Sequence, residues 1–305
     1  MTLQKRNLER QLTKIHVDTK LKPTDLIMPV SVVNGEHVRE KVPHMPGIYR
    51  YSLDTLLEEI NDIYQKGLRA IILSGPTINF TKNIDKDYDE DSLLQKAIRN
   101  IKQMFPALGV IAVLDIDWLE GQNAMETALN EQNRVNLFIR IASTYAEAGA
   151  DSIIPCHLPI KDLGALREGL DEAGFASMSI VSDILEYESD FCSDLNNPNL
   201  HSPTKKLQMS DIKKALMSAN GVEDTADALL LQPAIPLLDI IHQVSRLSYL
   251  PVLAFQVGAE YASLRLAIDQ NVVSDNAIYE ILLSIKRAGA DRIITYFAKD
   301  VIKYL

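Results

Sequence analysis

The sequence predicts an α/β fold, a (β/α)8 TIM barrel preceded by an N-terminal helical arm, and three observations carry that expectation. Eight short apolar runs alternate with helical segments along the chain. Each run is continuously apolar instead of alternating with polar residues, as parallel strands covered on both faces are. Gly67, Gly149, Gly174 and Gly289 stand just past helical segments, where a helix C-terminus needs a left-handed residue. The 305 residues suit one barrel of roughly 250 residues plus extensions, and a 47% hydrophobic content can fill its core.

Residues 1–25 carry Leu3, Leu8, Leu12 and Ile15 among many charges. Such an amphipathic arm packs on its own barrel or embraces another subunit, so a homo-oligomer is expected. Residues 26–305 form the barrel. Leu26–Val33 is its first strand, followed by a tight turn at Asn34-Gly35-Glu36. Helix Leu53–Gln65 then feeds strand Ala70–Ser74, and helix Ser92–Met104 feeds strand Val110–Ile116. Helix Glu131–Ala148 leads to strand Asp151–Pro155, and helix Leu163–Ala173 to strand Ser179–Asp183. Residues 184–208, rich in Asn, Ser, Asp and Pro, are too long and too polar for a plain connector and read as a lid loop. Strand Ala228–Leu231 ends at Gln232-Pro233, and Pro236 sits where the first turn of the next helix begins. Strand Pro251–Val257, helices Tyr261–Asp269 and Asn276–Ala288, and strand Asp291–Phe297 complete the count.

A doubly wound open sheet is the alternative, but it requires a Gly-rich phosphate loop. The chain has neither a Gly-x-Gly-x-x-Gly nor a Walker pattern, so no organic cofactor is expected. A net charge of -10 argues against nucleic acid or an anionic membrane as a partner. Cys156 and Cys192 give no disulfide framework, and no apolar stretch of signal or spanning length opens the chain. A soluble cytoplasmic protein handling a small molecule is therefore expected.

In such barrels the site is built from the C-terminal strand ends. These are Ser74 and Gly75, Asp115 and Asp117, Cys156 and His157, Ser182 and Asp183, Gln232, Gln256 and Tyr296. Asp115, Asp117, Cys156 and His157 have ligand types for a divalent metal ion, but their spacing matches no known ligand signature. A half-buried Cys and a hydrogen-bonded His explain them as well. A Cys156–His157 nucleophilic pair is disfavoured because neighbours on a strand point to opposite faces. Imine chemistry needs a desolvated lysine, and none occupies a strand end.

The segment order resembles the porphobilinogen synthase (5-aminolevulinate dehydratase) family along nearly the whole chain. Leu-Ile-Met-Pro-Val, Gly35-Glu-His-Val-Arg-Glu and Met45-Pro-Gly-Ile-Tyr-Arg look like that family's entry into the barrel. Leu283-Ser-Ile-Lys-Arg-Ala-Gly-Ala-Asp-Arg-Ile-Ile-Thr-Tyr-Phe-Ala-Lys looks like its exit. The resemblance implies a barrel, usually octameric through its arms, that joins two 5-aminolevulinate molecules in tetrapyrrole synthesis, a lyase of the heme pathway. It also implies two imine-forming lysines. One falls on Glu186, in Ser182-Asp-Ile-Leu-Glu-Tyr, and the other on Gln232, in Leu231-Gln-Pro-Ala. The lid arginine falls on Asn196, with Cys192 replacing a tyrosine, and the next substrate-side arginine falls on Thr204, although Gln208 and Met209 follow as in the family. The family's Ser-Asp after the fourth strand is Cys156-His157, its substrate serine is Gly258, and its tyrosine survives as Tyr296. Asp117-Trp-Leu-Glu-Gly stands in a shortened metal loop.

A carboxamide has a delocalised lone pair and a carboxylate cannot form an imine, so neither Gln232 nor Glu186 can replace lysine. Glu186 and Asp183 make the pocket more acidic than the family's, disfavouring a substrate carboxylate and favouring a cation or amine. The leading expectation is a pseudoenzyme that binds a small molecule or a protein partner. One alternative is acid-base or metal-dependent chemistry through Glu186, His157, Asp115 and Asp117. Another is residual synthase activity with Lys205 or Lys206 borrowed from the lid. In the plainest account Glu186 is a solvated loop residue and Gln232 a hydrogen-bonded barrel filler.

Overall fold

The computed structural model describes residues 19–76, 78–79, 92–117, 131–184, 189–192, 217 and 221–305. Its centre is a closed parallel barrel of eight strands, which are β1 (Leu26–Val32), β4 (Ala70–Ser74), β6 (Gly109–Leu114), β8 (Ser152–Pro155), β9 (Ser179–Asp183), β10 (Ala228–Leu231), β11 (Val252–Gln256) and β12 (Arg292–Thr295). Pairing of Leu26 with Ile293 and of Ile27 with Ile294 closes it. Two strands beside β1, β2 (Arg39–Lys41) and β3 (Tyr49–Tyr51), form an antiparallel hairpin that extends the sheet. The turn at Asn34-Gly35-Glu36 leads into that hairpin, with Gly35 at φ 125°. Two short segments, β5 (Ile78–Asn79) and β7 (Ile116–Asp117), pair separately.

The outer helices are α1 (Leu53–Gln65), α2 (Leu93–Met104), α3 (Glu131–Glu147), α4 (Leu163–Glu172), α5 (Leu238–Leu247), α6 (Gly258–Asp269), α7 (Asn276–Ala288) and α8 (Ala298–Val301). α6 begins three residues before the expected Tyr261. The reason is Glu260, which reaches back to accept the Val257 N–H at 2.7 Å and satisfies one of the donors a helix start leaves orphaned. Pro236 lies in a 3-10 turn, Ile235–Leu237, that precedes α5. The other helix and strand bounds differ from the sequence expectation by one or two residues, as frayed ends do.

Two separate apolar clusters show how the chain fills space. One holds a single layer drawn from all eight strands, Ile27, Ile72, Ile111, Ile154, Val181, Leu230, Leu253 and Ile294, and is the barrel interior. The other joins the alternate strand residues to the buried helix faces, such as Leu56, Ile60 and Ile63 of α1 and Ile240, Ile241 and Val244 of α5. Because side chains alternate along a strand, this division fixes which residues face the barrel axis.

The N-terminal end of the barrel carries a repeated device. Asp151, Asp227 and Asp291 each precede a strand, and each carboxylate accepts an N–H from the first or second residue of the preceding strand, from Val110, Ile180 and Val252, at 2.8, 2.8 and 2.9 Å. Charge-assisted bonds of this kind hold strand starts in register. Leu21 and Asp25 are also buried here, and Asp25 pairs with Lys286 at 3.0 Å. No helix among the described residues is long and apolar enough to cross a membrane.

Gly289 closes α7 at φ 122°, and a Cβ there would lie 2.1 Å from Ser245 Oγ. Gly174 has φ 90° with nothing within 4 Å of such a Cβ. Gly289→Ala should therefore cost about 3 kcal/mol in denaturant unfolding and Gly174→Ala only about 1 kcal/mol, because overpacking adds to backbone strain only at Gly289. Equal losses would contradict this packing.

Candidate functional site at the barrel mouth

Continuing the inward alternation past the interior layer, by two residues on six strands and by four on β1 and β6, places Ser31, Ser74, Asp115, Cys156, Asp183, Gln232, Phe255 and Tyr296 around the C-terminal mouth. Their contacts follow that ring. Ser31 and Ser74 hydroxyls lie 2.7 Å apart across neighbouring strands. Gln232 donates Nε2–H to Asp183 Oδ2 at 2.7 Å. The rings of Phe255 and Tyr296 stand 6.2 Å apart, and Tyr296 meets Tyr261 edge-on at 5.7 Å. Burial pushes the Tyr296 phenol up to about 12, against the opposing pull of Arg50, so it is a neutral hydrogen-bonding group at physiological pH.

Two residues read as strand-end candidates face the other way. Ser182 and Gln256 are buried beneath the helices, where Gln256 Oε1 accepts the Thr295 hydroxyl at 2.6 Å. Strand alternation assigns them to the outer layer once Val181 and Leu253 are seen to point inward.

Cys156 and His157 also separate. Cys156 packs against the interior layer, whereas His157 takes a left-handed φ of 62° and leaves its side chain 70% exposed. His157 Nε2 lies 3.7 Å from Asp115 Oδ1, itself 40% exposed. Burial raises the Cys156 thiol pKa far above its ordinary range, and the Asp115 and Asp183 carboxylates raise it further. A thiolate pair with His157 is thus opposed by geometry and by charge. Asp117 lies in β7, paired with Asn79 of β5. Among the described residues no three His, Cys, Asp or Glu side chains are grouped to hold a metal ion.

Gly258 is the first residue of α6, directly above β11. Glu186, Asn196, Thr204, Gln208, Lys205 and Lys206, with most of the expected lid, lie outside the described residues. Cys192 ends a short 3-10 turn, Asp190–Cys192, that packs against α6.

Glu260 is not evident from the sequence, where the helical pattern is expected only from Tyr261, whereas the helix begins at Gly258. Only 2% exposed, its carboxylate accepts N–H bonds from Ile235 at 2.6 Å, Val257 at 2.7 Å and Ala234 at 3.2 Å. It thereby ties the turn that follows Gln232 to the start of the next helix. A glutamate three residues past a strand end, at the third position of a helix, was the available signal. Tyr261 then donates its hydroxyl to the Pro46 carbonyl at 2.6 Å, fixing the Met45-Pro46-Gly47 loop over the same side.

This arrangement defines a class: a (β/α)8 barrel with its binding site at the strand ends, lined by two carboxylates, a carboxamide, hydroxyls and aromatic rings, and with no lysine at any of the mouth positions. A family model described as delta-aminolevulinic acid dehydratase matches residues 2–304. A delta-aminolevulinic acid dehydratase of Halalkalibacterium halodurans is 37% identical over 98% of this chain and 93% of that protein. One of Methanothermus sociabilis is 33% identical over 99% of this chain and 96% of that protein. The structure superposes with a TM-score of 0.82, at 27% identity, on the Toxoplasma gondii dehydratase (porphobilinogen synthase) in complex with the reaction product porphobilinogen, covering 100% of this chain and 91% of that one. The chain belongs to the delta-aminolevulinic acid dehydratase family and is a porphobilinogen synthase-like protein of tetrapyrrole biosynthesis.

The state of Cys156 is directly measurable. In a Cys192→Ser background, iodoacetamide at about pH 8 should alkylate Cys156 at least tenfold more slowly than a free thiol, because almost no thiolate forms. Alkylation at the free-thiol rate would show a reactive cysteine instead.

Proposed function

We propose that this chain keeps the family's barrel as a small-molecule binding frame and does not condense 5-aminolevulinate. The observation that carries the reading is the 2.7 Å hydrogen bond from Gln232 to Asp183. Gln232 stands where the resemblance places an imine-forming lysine, and its amide nitrogen is both non-nucleophilic and committed to a carboxylate. The relatives' names favour dehydratase activity, and the mouth residues oppose it. Asp183 beside Gln232 and Asp115 farther round the mouth, both acting on Cys156, would repel the carboxylate of 5-aminolevulinate while accepting an ammonium group. An amine without a carboxylate, small enough to sit among Gln232, Phe255 and Tyr296, suits this lining best. The test is porphobilinogen formation from 5-aminolevulinate by the purified full chain. Turnover at the background rate is expected, and robust product formation overturns the reading.

A second reading has one observation in its favour, the approach of His157 to Asp115 at 3.7 Å. A carboxylate that orients an imidazole at the mouth suits proton transfer on a bound small molecule, with or without a divalent ion. A pH-rate profile that disappears in His157→Asn would support it, once a substrate is known.

We further propose that copies assemble through residues 1–25 and that the protein works in the cytoplasm. The apolar stripe of Leu3, Leu8, Leu12 and Ile15 supports assembly. Light scattering should report a multimer for the natural chain and smaller species for Leu8→Glu/Leu12→Glu. An unchanged mass would exclude the arm as the contact.

A further inference from the structure

We propose that Glu260 is a proton-sensitive clamp that positions Gln232, holding the turn after β10 in place when ionised and loosening it when protonated. The proposal rests on the reading of the mouth as a binding site only for its functional consequence, namely that ligands engaging Gln232 bind best on the alkaline side of neutrality.

The geometry is unusual for a buried acid. Glu260 has no cationic partner among the contacts that hold it; its carboxylate oxygens are served by three main-chain N–H groups, from Ala234, Ile235 and Val257. Oε1 takes one of them and Oε2 takes two. Ala234 and Ile235 lie two and three residues beyond Gln232, so the carboxylate sets where that turn can sit. The Ala234 N–H is also shared with the Phe255 carbonyl at 2.9 Å, which ties the same turn to β11. When a proton is added, the oxygen that carries it becomes a donor facing N–H donors, and at least one of the three bonds is lost.

Burial works against the ionised form, the three N–H groups work for it, and burial prevails: the Glu260 carboxyl is pushed up from 4.5 to about 7. Among the described residues the titratable groups around it are few. Cys192, from the 3-10 turn packed on α6, faces both Glu260 and Asp183. Tyr261 and Arg265 follow on its own helix, and the bonded segments of β10 and β11 present only main-chain groups. The balance at Glu260 is accordingly between burial and main-chain dipoles.

Whole-chain stability and local order respond in opposite directions. A carboxyl whose folded value is raised contributes most to stability below 4.5 and loses that contribution as pH rises through about 7. The Glu260 carboxylate instead completes its three N–H bonds, two of them from the Gln232 turn, over that interval. A local measurement is needed to separate them.

Amide hydrogen exchange of the natural full chain, read as protection factors, supplies it without any ligand. On lowering the pH from about 8 to about 6, protection at Ile235 and Val257 should fall about five- to tenfold, the equivalent of one hydrogen bond, while Ala234, still bonded to the Phe255 carbonyl, and Ile293 and Ile294 of β12 keep theirs. The Gln232 side-chain amide resonances should shift in the same step, as its contact with Asp183 loosens. In Glu260→Gln the step should vanish at both places. A flat profile in the natural chain, or the same step in Glu260→Gln, overturns the proposal. Neither result depends on whether porphobilinogen is made, so the failure of this proposal and the failure of the pseudoenzyme reading are told apart.

Discussion

Closure of the sheet through the pairing of β1 with β12 is the constraint on which the site depends. Once Ile27 sits beside Ile294, alternation around a closed ring leaves no choice about which residue of each strand points to the axis. Asp183 and Gln232 then come from adjacent strands, paired through Ser182 with Leu229 and Asp183 with Leu230, and their side chains meet at the mouth. A slip of one residue would bring Ser182 and Leu231 inward and carry Asp183 and Gln232 to the helix layer. The three aspartates at the strand starts oppose that slip from the far end of the barrel.

The mouth that results is coherent in charge. Two carboxylates face a carboxamide, a thiol that burial keeps protonated, and a phenol that stays neutral. In a family whose chemistry is expected to run through amines presented by the protein, this lining presents acceptors. The frame around it is intact: Glu260 holds the turn after β10, and Tyr261 holds the loop at Pro46.

Much of this was legible in the sequence, because the signals were local. Continuous apolar runs gave the eight strands, and Gly67, Gly149, Gly174 and Gly289, all at positive φ, marked the helix ends. Gln232 was readable as the altered residue because Pro233 and Ala234 preserve its surroundings. What escaped depends on contacts distant in the chain. The outward orientation of Ser182 and Gln256 follows from barrel register, which one strand alone does not reveal. The exposure of His157 depends on a left-handed residue that is not glycine, and its approach to Asp115 joins two strands. Glu260 acts on a turn 25 and 26 residues before it. The hairpin of β2 and β3 rests on strands of three residues, one of them the exposed Arg39-Glu40-Lys41, too short to carry a periodic signal.

The central claim is that the Gln232 socket holds no imine-forming amine. Intact-mass measurement of the full chain after borohydride reduction in the presence of 5-aminolevulinate tests it most directly. The unmodified mass is predicted, whereas a stoichiometric adduct on one lysine would show that the chain supplies the missing nucleophile from another segment and would contradict the account.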